Sequence, residues 1–111
     1  MPTPRPPFRV SFLPGCFTPI VGAAARLNLP GITSELQLVF TSIETTLSQI
    51  PRTWGDPQRN YTGMNATQYV RHMVSDGIRV EYLVHNSEPV VIVRSISPIE
   101  GGPFDPNPKS T

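Results

Sequence analysis

Hydrophobic positions recur along this chain with two different periods, and the periods divide it into elements. "FRVSFL" sets Phe8, Val10 and Phe12 against Arg9 and Ser11, the period of two expected of a short strand. "PGC" then reads as a turn, and Thr18-Pro19 as a helix start, because Thr can cap and Pro fits the first helical position. Ile20, Val21, Ala24 and Leu27 make a short apolar stripe that "NLPG" ends. The next helix is the best marked. Leu36, Phe40, Ile43, Leu47 and Ile50 recur every three or four residues, after a cap at Thr33 or Ser34 with Gln37 placed as in a capping box. Pro51 predicts its end, since the residue before proline avoids the helical region.

The period of two returns after a Gly- and Pro-punctuated stretch, "RTWGDPQRNYTGMN", that reads as a polar loop with Trp54 as a lid over the core. "TQYVRHMV" puts Tyr69, Arg71 and Met73 on one side and Val70, His72 and Val74 on the other. "SDG" is a tight hairpin turn, and Ile78, Val80, Tyr82 and Val84 then face away from Arg79, Glu81 and His85. "HNSE" turns again before a last strand over Val90–Ile96. Strand, helix, helix and a three-strand meander predict an α+β domain: a three- to four-stranded antiparallel sheet with two helices packed on one face. By parity Arg79 and His72 are expected together on the uncovered face. Arg71 or Arg94 would join them depending on register, because a one-residue slip inverts a strand.

Composition narrows the picture. At 111 residues the chain is about one domain, expected over 8–98, and its 14 prolines crowd the ends, so 1–7 and 99–111 are expected to be disordered. A net charge of +1 argues against strong nonspecific attraction to nucleic acid. Eight of nine basic residues are Arg, which suits bidentate contacts to phosphate or carboxylate but is also what a GC-rich genome produces. Cys16 is alone, so no internal disulfide forms; that fits a cytoplasmic protein, and Cys16 is expected to be buried. No secretory signal and no membrane-length apolar run is present, so the sequons at Asn60 and Asn65 read as chance. His72, His85 and Cys16 have no metal-ligand spacing, and no phosphate-cradling Gly loop opens a helix, so neither metal nor cofactor is expected.

The element order and "QYVRHMVSDGIRVEYLVHNSEPVVIVRSI" resemble the RelE/ParE toxin superfamily of bacterial toxin–antitoxin systems, most closely at Gly77-Ile78-Arg79-Val80-Glu81-Tyr82. "IPRTWGDP" is similar to that family's helix exit. The resemblance implies a toxin silenced by an antitoxin peptide. Its targets would be messenger RNA on the ribosome, cut without metal, or DNA gyrase, inhibited without nuclease activity. It further implies that Arg79 and His72 are the catalytic basic residues of the sheet face, and the patch around them, read by register, is expected to draw on Arg71 or Arg94 for binding. Val70 stands at a second position that is basic in the ribonuclease branch, and "SPIEGGPFDPNPKST" lacks that branch's Arg and Tyr. Three readings therefore remain: an RNA-cutting toxin, a non-catalytic binding protein of the same fold, and an unrelated α+β protein in which Arg79 and His72 are ordinary surface residues.

Overall fold

A computed structural model describes residues 7–27 and 32–102. The expectations for residues 1–6, 28–31 and 103–111 lie outside the described residues. The elements run β1 (Arg9–Phe12), α1 (Thr18–Leu27), α2 (Ile32–Gln49), α3 (Pro51–Trp54), β2 (Asp56–Tyr61), β3 (Ala66–Met73), β4 (Ile78–His85) and β5 (Val90–Pro98). The fold is α+β, with the five strands in one sheet ordered β1-β5-β4-β3-β2.

The sheet is mixed rather than antiparallel, because β1 pairs in parallel with β5. The helices carry the chain from β1 at one edge of the sheet to β2 at the other, and the meander then returns until β5 lies parallel beside β1. The stretch expected as a polar loop contains the other correction. Residues 51–54 form a short helix and 56–61 an edge strand. Nearly every β2 residue is exposed, so no apolar alternation marks it in the sequence. Helix α2 begins at Ile32, which puts Ser34 inside its first turn rather than at the cap.

The core lies between the helices and one sheet face. Ile20, Ala23 and Ala24 of α1 and Leu36, Ile43 and Leu47 of α2 pack with Ile78, Val80, Tyr82 and Val84 of β4 and Val91, Val93 and Ile96 of β5. Phe40 is only half-buried, held against the Phe17 ring at 4.5 Å between centroids. Ile50 follows the last turn of α2 and is 50% exposed, so the stripe stops one step short of the expected residue. Val21 likewise faces outward, 49% exposed, and Ala23 takes its place in the core.

Tyr82 fastens the helix exit to the sheet. Its hydroxyl donates to the Pro51 carbonyl at 2.6 Å and accepts from the Gly55 N–H at 2.8 Å. Gly55 is required here, because a Cβ would stand 2.6 Å from that hydroxyl oxygen. Trp54 closes over the same ring at 5.9 Å between centroids, so the expected lid is present. At the β3–β4 turn Gly77 takes φ 71°, a left-handed conformation that side chains disfavour. Cys16 is buried as expected, and burial pushes its thiol pKa up. No helix among the described residues is long and apolar enough to cross a membrane.

Candidate nucleic-acid interface

Pairing in register decides which side chains share the face that no helix covers. His72 of β3 stands directly opposite Arg79 of β4, and Ser97 of β5 flanks Arg79 on the other side. Opposed residues on neighbouring strands have Cβ atoms about 5 Å apart. The structure therefore brings Arg79 and His72 together on the open face. One step along the strands, Glu81 lies between Val70 and Ser95. Further on, Leu83 lies between Gln68 and Ile92, and Ser11 of β1 extends that row.

Arg94 joins this face through a bulge. Val93 pairs with Tyr82, but the next pair is Ser95 with Glu81, so Arg94 and Ser95 together oppose Glu81. The extra residue lets Val91, Val93 and Ile96 all reach the core despite the change of parity. Arg94 is exposed there.

Arg71 does not belong to the face. It pairs with Val80, a core residue, and so lies on the helix side. Its Nη1 donates to the Trp54 carbonyl at 3.0 Å, and its guanidinium carbon stands 5.5 Å from the Trp54 ring centroid. It clamps the helix exit.

Arg79 is not a bare charge. Its Nη1 donates to Glu81 Oε1 two residues along the same strand. Both side chains are partly open to solvent, 37% and 24% exposed, so the ion pair contributes little stability. It fixes the guanidinium on a rigid strand while leaving its remaining N–H donors to a ligand. His72 is exposed and, among the described residues, has no hydrogen-bond partner that orients its ring. His85 has a structural duty instead: its Nδ1 accepts the N–H groups of Ser87 at 3.2 Å and Glu88 at 2.9 Å. The two sequon asparagines are also engaged, since Asn86 Nδ2 donates to Asn60 Oδ1 at 3.1 Å and to Asn65 Oδ1 at 3.2 Å.

Two residues of the face lie outside the sequence expectations. Arg59 of β2 pairs with Gln68 and Tyr61 with Ala66, which puts both on the open side. Their strand carries no hydrophobic alternation, so only the register reveals their direction. Arg9, opposite Val90, adds a further cation at the β1 edge. Arg9, Arg59, Arg79 and Arg94 are set against Asp56 and Glu81, so the open face is basic although the chain is close to neutral.

No known family's sequence pattern matches the chain, and a comparison with curated proteins finds no match. Among solved structures, the chain is similar to the archaeal RelE–RelB complex from Pyrococcus horikoshii OT3. The identity is 22% and the TM-score 0.48, over 82% of this chain and 93% of that one.

Proposed function

We propose that this chain is a RelE/ParE-like toxin component that binds single-stranded RNA across its open sheet face without cutting it. The observation that carries the reading is the pairing of Arg79 with His72 on neighbouring strands of a helix-free, net basic face. Rigid strands hold the guanidinium where a phosphate can be met bidentately. The exposed, unoriented His72 and the tail without Arg or Tyr favour binding over cleavage. The family resemblance adds an antitoxin peptide as the partner that silences the protein.

A second reading is a binding protein of the same fold directed at a protein target, of the gyrase-inhibitor kind. The Arg79–Glu81 ion pair favours it, because a mixed-charge face suits a protein surface as well as a phosphate backbone. Anisotropy of a labelled single-stranded RNA separates the two. For an RNA face, Arg79→Ala weakens binding several-fold, and Glu81→Gln tightens it by releasing the guanidinium. Binding indifferent to both substitutions removes the site assignment. Growth arrest on induced expression, with no RNA binding by the purified protein, selects the second reading.

A further inference from the structure

The open face also holds one aromatic ring, Tyr61, with Gln68 and Arg59 beside it. The Tyr61 hydroxyl donates to Gln68 Oε1 at 2.9 Å, and the Arg59 guanidinium carbon lies 5.7 Å from the Tyr61 ring centroid. Tyr61 and Gln68 are half-buried and Arg59 is exposed. None of the three belongs to the cluster of buried side chains beneath the helices. The ring is thus held at its hydroxyl by Gln68 and met over one face by Arg59, on a side of the sheet that no helix covers. Among the described residues, the Gln68 Nε2 has no partner, which leaves it free to donate.

We propose that Tyr61, with Arg59 and Gln68, is a stacking subsite for one base of a single-stranded RNA; this rests on the reading of the open face as an RNA surface. The phenol ring offers a π-face, the Gln68 amide a donor to a base-edge acceptor, and Arg59 a cation for the adjoining phosphate or for the base itself. An aromatic ring and a guanidinium on an exposed sheet are a general solution to unpaired bases, which duplexes conceal. Gln68 and His72 are four residues apart on β3, about 13 Å along the strand, so one strand of RNA can meet both places. Tyr61 and Gln68 then take a base, while Arg59 and the other arginines of the face take the backbone.

The test uses the full chain with labelled oligouridylate and an abasic oligomer of equal length. The wild type is expected to bind the oligouridylate more tightly. Tyr61→Leu should lose roughly 5- to 150-fold toward oligouridylate and nothing toward the abasic strand. Tyr61→Phe, which keeps the ring, should retain most of the affinity. Equal wild-type binding of the two oligomers, or unimpaired oligouridylate binding by Tyr61→Leu, overturns the subsite and leaves the basic-face reading standing. Failure of the wild type to bind either oligomer overturns that reading and the subsite with it. The wild-type comparison decides the matter even if a substitution at Tyr61 lowers the stability of the edge strand.

Discussion

Tyr82 is where the residue scale says most about stability. Its hydroxyl serves both the Pro51 carbonyl and the Gly55 N–H inside the core. Tyr82→Phe leaves that buried N–H without an acceptor, a loss of about 1–3 kcal/mol, which should lower Tm by roughly 5–20 °C. Burial, the largest cause, pushes the Tyr82 phenol pKa up. A free phenol gives up its proton near pH 10. Above about that pH the unfolded chain binds fewer protons than the folded one, so stability falls as pH rises, and below it the contribution is complete. A Tm series from pH 8 to pH 11 should decline at its alkaline end, less steeply in Tyr82→Phe. An equal decline in both proteins would assign the effect to other groups.

At the scale of elements, helix α2 and strand β5 separate expectation from outcome. The stripe of α2 contains Ile43, fully buried, and its sequence continuation Ile50, half exposed beyond the helix end. Ile43→Ala should cost about 2–5 kcal/mol in urea unfolding, whereas Ile50→Ala should stay within about 0.5 kcal/mol. Similar losses at both positions would mean that the stripe packs as one unit. The bulge in β5 makes a sharper case. Arg94→Ala removes an exposed side chain and should be close to neutral in stability. Deleting Arg94 removes the extra residue and leaves a regular ladder, in which Ser95 still opposes Glu81 and Ile96 still opposes Val80 in the core. The deletion should therefore keep a cooperative urea transition, with a midpoint near that of the substitution, and loss of that transition would mean that the bulge itself is needed to seat Ile96. Strand β2 shows a different device: Pro57 and a register shift between Pro57 and Arg59 blunt an exposed edge that could otherwise pair with another chain.

At the scale of the whole molecule, a net charge of +1 conceals an uneven distribution, with Arg9, Arg59, Arg79 and Arg94 sharing the open face. Each phosphate neutralised on a single strand adds about 0.7 to the slope of log K against log salt. RNA binding by three or four of these arginines should therefore give a slope of roughly −2 to −3 in an anisotropy titration. A slope near zero would mean that the arginines do not meet phosphates. The helices occupy one surface of the sheet, and the other sets its arginines around the apolar Val70, Leu83 and Ile92, so the open face offers a ligand both cations and rigid strands.

Much of this was legible from residues in order. Local periodicity determined α1, α2 and the β3–β4–β5 meander, because helix and strand patterns are written in neighbours three, four or two positions apart. It also determined that Arg79 and His72 share a face, since a tight turn at Gly77 sets the hairpin register. The parallel pairing of β1 with β5 lay beyond it, because that contact joins residues some eighty positions apart. So did β2, whose exposed edge asks for no alternation. The direction of Arg94 was likewise a tertiary decision, since it depended on a bulge that accommodates an extra residue without misplacing Ile96. Arg71 follows from the parity that places His72, but its contact with Trp54 is set only by the assembled fold. Periodicity reports which face of an element seeks burial; only the assembled sheet decides which elements meet there and which side chains are left facing water.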